Sequence, residues 1–153
     1  MRMKKAARIS VVLCFILITG SLAVAQCKAK QIVKEAKPSL APYQYDSYAL
    51  NEVQIDPAKP HVIEIEFTAF AGQKYKLVFS TSSFEEDMKL NIYDKNRLAK
   101  KRNKIFDSEN GVKKHWTFQP TKPGTYYIDY EIPKSTNGQK KTGCVVMLIG
   151  YKE

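Results

Sequence analysis

The chain has 153 residues, enough for one domain and short for two. Hydrophobic residues make up 44% and charged residues 26%, a balance that excludes a disordered chain, and seven glycines with seven prolines exclude a collagen-like or low-complexity one. Twenty-five basic side chains against 15 acidic ones give a formal charge of +10, part of which belongs to the N-terminus rather than to the body.

Arg2, Lys4, Lys5 and Arg8 form a basic start with no acid among them. Residues 9–18 (ISVVLCFILI) are apolar except for Ser10, and Thr19, Gly20 and Ser21 restore polarity. Ala23-Val24-Ala25 has the small-x-small pattern that a signal peptidase admits, because its pockets beside the scissile bond accept only small side chains. The expected cut lies between Ala25 and Gln26, so that residues 1–25 are a signal peptide. An uncleaved anchor would be shorter than the ~20 residues a bilayer core requires. A lipoprotein reading, with Cys27 as the lipidated residue, is the lesser alternative, because Gln26 stands where Gly, Ala or Ser is wanted.

Cleavage removes four basic residues and no acidic one, which lowers the formal charge to +6. A nucleic-acid partner is not expected of such a chain. The remaining basicity suits solubility, or attraction to anionic envelope polymers and lipid headgroups. The expected location is periplasmic or secreted, with no membrane-spanning segment after cleavage. Cys14 leaves with the signal, and Cys27 and Cys144 remain in a compartment where disulfides persist. Two cysteines allow one pairing, which would tie the two ends of the mature chain together. The alternative is a buried, apolar Cys144 beside a fraying Cys27.

Residues 26–42 read as a short helix and linker. Good helix formers fill 26–37, Ile32, Val33 and Ala36 share a face, and Pro38 and Pro42 end the run. From residue 43 the period changes to two, and 43–153 reads as one sandwich domain. Residues 43–55 (YQYDSYALNEVQI) lose their alternation between Leu50 and Val53, which predicts a bulge or two short strands there. In 61–70, Ile63, Ile65 and Phe67 alternate with Glu64, Glu66 and Thr68. Tyr75, Leu77 and Phe79 form the next inward set, then Met88, Leu90 and Ile92. A polar stretch follows before Trp116 and Phe118. Tyr126, Ile128 and Tyr130 point one way and leave Tyr127 and Asp129 toward solvent. Residues 144–149 (CVVMLI) are apolar on both faces, as a doubly covered strand should be. Seven or eight short strands between turn signals predict an all-β, antiparallel sandwich.

Several pieces in order carry a resemblance. They are Gly72-Gln73-Lys74-Tyr75-Lys76-Leu77, the 87–94 strand (DMKLNIYD), Phe118-Gln119-Pro120, the Pro123-Gly124-Thr125-Tyr126-Tyr127-Ile128 segment and the apolar closing strand. Across about residues 63–151 this order resembles the bacterial pre-peptidase C-terminal (PPC) type domain, and also jelly-roll and carbohydrate-binding sandwiches. The resemblance implies a small secreted β-sandwich. The N-terminal helix and the two-cysteine arrangement are not part of that pattern, and members usually accompany a catalytic domain that is not found here. A shared fold does not fix function.

No Gly-x-Ser-x-Gly elbow is present, and His61 and His115 have no context that names either a base, so no catalysis is expected. No cofactor is expected either. Calcium is the one candidate, through Glu85, Glu86 and Asp87 with Asp94 a strand-length away, and a solvated acidic loop is the favoured reading of these residues. Lys95, Arg97, Lys100, Lys101, Arg102 and Lys104 put six bases into ten residues without an acid. This loop is a candidate contact for anionic lipid or acidic glycan, against a merely solubilising loop. Tyr43, Tyr45, Tyr48, Trp116 and Tyr127 would form a sugar-stacking platform if they were exposed together. The expected function is non-enzymatic binding or scaffolding at the bacterial envelope. The partner would be an envelope glycan or another exported protein.

Overall fold

The computed structural model describes residues 27–84, 87–108 and 115–153. The expected cleavage site at Ala25 and Gln26, and Glu85 and Glu86, lie outside the described residues. The first element is a helix, α1 (Ala29–Ala36), continued by a 3-10 turn, Lys37–Leu40. The α-helix ends just before Pro38, as expected, and the chain continues as a 3-10 turn. Pro38 occupies the start of that turn, where its missing N–H costs no hydrogen bond.

Eight strands follow among the described residues: β1 (Gln44–Ile55), β2 (His61–Ala69), β3 (Lys74–Ser80), β4 (Lys89–Tyr93), β5 (Lys104–Asp107), β6 (His115–Phe118), β7 (Gly124–Ile132) and β8 (Lys141–Lys152). They form two four-stranded sheets, with order β1-β8-β3-β6 in one and β2-β7-β4-β5 in the other. Every pairing is antiparallel. This order is that of a jelly roll, so the all-β sandwich expected from the alternation is the fold.

The core lies between the sheets. Leu77, Phe79, Leu90, Ile92, Ile128 and Tyr130 are buried there on the faces that alternation assigned, together with Val145 and Met147 of β8. A second, smaller core covers the back of the first sheet, where Ile32, Ala36 and Leu40 pack on Val78, Val146 and Leu148. Two cores explain the double-faced apolarity of β8. Val145 and Met147 point between the sheets, and Val146 and Leu148 point at the helix. Cys144 shares the helix-facing side, where it is bonded to Cys27 with their Cα atoms 5.8 Å apart. Gly150 lets the helical layer approach: a Cβ there would come within 2.9 Å of the Leu40 side chain.

Two expectations need correction. The irregularity in β1 lies between Tyr45 and Ser47, not between Leu50 and Val53. The bulge turns Tyr45 toward the helix while Val53 and Ile55 face the main core. Leu50 broke the pattern because it is an apolar residue left 41% exposed on the outer face. The polar stretch after β4 also contains a strand, β5. Only Phe106 of its four residues reaches the core, edge-on to Phe118 at 5.7 Å, so no period was visible.

Candidate functional site

The outer face of the second sheet collects carboxylates. Alternation sends Glu64 and Glu66 outward from β2, and Asp129 and Glu131 outward from β7. The register sets Glu64 directly opposite Asp129. Like charges facing across an antiparallel pair are unfavourable, so this face requires cations.

Residues 94–103 supply them. This segment between β4 and β5 is a strap laid across the sheet. Its neck is closed by Asp94, whose Oδ1 accepts the Asn103 backbone N–H at 2.7 Å and whose Oδ2 accepts the Asn103 side-chain amide at 2.8 Å. These bonds, the backbone N–H first, hold the Asp94 carboxyl below the ordinary aspartate range. Arg102 then reaches inward. Its Nη2 lies 2.5 Å from Asp129 Oδ2, its Nη1 lies 3.2 Å from Glu64 Oε2, and its guanidinium stacks 3.7 Å above the Tyr93 ring. Arg97 Nη1 donates to the Val62 carbonyl at 3.1 Å on the far strand, and Asn91 donates to Glu131 at 2.6 Å.

The Glu64 carboxyl is held above the ordinary glutamate range, first by burial and then by the Asp129 charge; the Arg97 backbone N–H and the Arg102 guanidinium pull the other way. A raised carboxyl binds its proton more tightly in the folded than in the unfolded chain. Its contribution to stability is therefore present in acid and is lost as pH rises through the raised value. Glu64→Gln is expected to match the parent protein near pH 4, about the ordinary glutamate value, and to exceed it at neutral pH. Urea unfolding at both pH values checks this, and a variant less stable at neutral pH contradicts it.

The six candidate bases therefore divide. Arg97 and Arg102 are anchors, and Lys104 pairs with Asp107 at 2.7 Å on β5. Lys95, Lys100 and Lys101 remain exposed and form no salt bridge among the described residues. Asp129, expected in solvent, is 3% exposed because the strap covers it, and Tyr127 is half-buried. The acidic face is the partner of the basic run, a pairing not expected from residues 95–104 alone. The outward phases of β2 and β7 already carried the complementary sign.

The other candidates do not converge. Trp116 is buried between the sheets. Tyr45 lies on the helical side of the first sheet beneath Lys37, and Tyr127 lies on the second sheet, so the five aromatics form no single platform. Tyr43 donates to Gln119 at 3.1 Å, and Tyr48 is 42% exposed on β1. Asp87 and Asp94 stand at opposite ends of β4, seven residues or roughly 20 Å apart, too far to share a calcium ion. His61 opens β2 and His115 opens β6, on different sheets. His61 borders a concavity of about 340 Å³ with Lys89, Glu131 and Pro133. Cys144 is clipped by Ser83, whose hydroxyl donates to its carbonyl at 2.6 Å while its N–H donates back at 3.0 Å.

No family model matches the chain, and no curated protein matches it in sequence. Among solved structures it is similar to PliG of Aeromonas hydrophila, a periplasmic inhibitor of g-type lysozyme, at 13% identity and a TM-score of 0.44. The likeness covers 69% of this chain and 86% of that one.

Proposed function

We propose that this protein is an exported, non-catalytic jelly roll that acts in binding or scaffolding at the bacterial envelope. The Cys27–Cys144 disulfide carries the reading, because such bonds persist only where thiols are not kept reduced. The basic, apolar and small-residue order of residues 1–25 supports it, as does the motif order that resembles secreted PPC-type sandwiches. A rigid sandwich also suits binding, since its loops can vary without disturbing the frame. The test is expression of the chain with and without residues 1–25, followed by fractionation and thiol labelling. The intact chain is expected outside the cytosol with no reactive thiol. The shortened one is expected inside with both thiols reduced. An intact chain that stays cytosolic and reduced overturns the reading.

A second reading is favoured by one observation. Three lysines of the strap face solvent while its arginines are spent on the sheet. On this reading the strap docks the protein on an anionic envelope component.

A further inference from the structure

The strap sorts its side chains by chemistry. Its two arginines face the sheet, where a planar fork can bridge Asp129 and Glu64 or meet the Val62 carbonyl. The lysines, which are compact and well-hydrated charges, face out. Among them stands Leu98, 92% exposed, the barest of the large hydrophobic side chains among the described residues. Its position is held. The Leu98 N–H donates to Asn96 Oδ1 at 3.2 Å, the Ala99 N–H donates to the Asn96 carbonyl at 3.1 Å, and the neck and both arginines pin the segment on either side. A loop already fixed in shape loses little freedom on binding.

Resting on the docking reading, we propose that the outer surface of the strap binds an anionic lipid bilayer, with Leu98 entering the headgroup boundary and Lys95, Lys100 and Lys101 meeting lipid phosphates. Charge alone does not separate lipid from acidic glycan, because both attract lysines. Leu98 does. A hydrated glycan offers a bare leucine nothing, whereas the headgroup boundary removes it from water. The lysines suit the same boundary, since their apolar stems can lie along it with the charges at phosphate level. Arg97 and Arg102 are tied down, so the charge the strap offers outward is that of its lysines.

The test uses the mature protein, sedimented with vesicles of about 30% phosphatidylglycerol in phosphatidylcholine, with pure phosphatidylcholine vesicles as control, and passed in parallel over immobilised dextran sulfate. The protein is expected to bind the anionic vesicles and not the neutral ones, and to be released as salt shortens the reach of charge. Reversing Lys95, Lys100 and Lys101 to glutamate should weaken vesicle binding at least about tenfold. Leu98→Ser should weaken it about tenfold while leaving retention on dextran sulfate unchanged. All of these side chains are exposed, so the melting temperature should stay where it is. Equal vesicle binding by Leu98→Ser and the parent overturns the proposal, as does binding that survives the lysine reversal. If dextran sulfate is bound through the lysines but the vesicles are ignored, the lipid assignment fails and the docking reading stands. If neither probe is bound, both fail.

Discussion

Cys27→Ser is expected to lower the unfolding free energy by about 4 kcal/mol, the largest effect of any single change considered. The disulfide spans 117 residues and so joins nearly the two ends of the described chain. In the chain-entropy account a loop of that length is worth about 4–5 kcal/mol through restriction of the unfolded state, and native strain lowers the figure. Residue 27 is the better position to change, because it is only half-buried, whereas Cys144 is fully enclosed beside Ser83. Urea unfolding of parent and variant under oxidising conditions measures the difference. Hydrogen exchange adds the location. Without the bond, α1 is held to the sheet only by the small core of Ile32, Ala36 and Leu40, so amides 29–40 should exchange sooner than those of β8. A loss below about 1 kcal/mol would show that the closed ring contributes little beyond packing.

Arg102→Met comes next, at about 3 kcal/mol at neutral pH. The change keeps most of the stem packing and removes the charge. Glu64 and Asp129 then face each other across the strands with no cation between them, and the Asp129 side chain is only 5% exposed. Removing one partner of such a buried pair strands the other charge, and that cost exceeds the value of the bond itself. The loss should shrink in acid. Glu64, already held above the ordinary glutamate range, takes up its proton as pH falls and so removes one of the two facing charges. Asp129→Asn in the same background should restore part of the stability at neutral pH. Arg102→Lys should not restore the parent value, because an ammonium cannot bridge two carboxylates and stack on Tyr93 at once. A variant that unfolds like the parent at every pH would show that the strap merely rests on the sheet.

Much of the frame was legible because alternation is a strong signal where one face is buried. Ile63, Ile65 and Phe67 on β2 and Tyr126, Ile128 and Tyr130 on β7 read directly as inward rows. The apolar run of β8 announced cover on both sides, and the helix supplies the second cover. Where the signal weakened, the physics had changed. β5 offers one core residue in four, too few to show a period. Leu50 is apolar yet outside the core, so it mimicked a bulge that lies four residues earlier. Trp116 is an aromatic that the inter-sheet core claimed before any ligand could.

The site was half legible for a related reason. Six bases in ten residues marked the strap, but a count of charge does not say which charges are spent. That depended on register. Only the pairing of β2 with β7 places Glu64 opposite Asp129 and so creates a demand that Arg102 meets. Long-range register is not carried by the spacing of residues 94–103 themselves. The disulfide, by contrast, followed from cysteine arithmetic once residues 1–25 were set aside.

Secretion and oxidation of this chain are tested together by one intact-mass measurement on the protein recovered from the periplasm or medium. The predicted mass is that of a chain beginning at Gln26, lighter by about two daltons than the reduced form and gaining them back on treatment with a thiol reductant. Recovery instead of an unprocessed chain from the cytosol, with Cys27 and Cys144 both carrying free thiols, would contradict it.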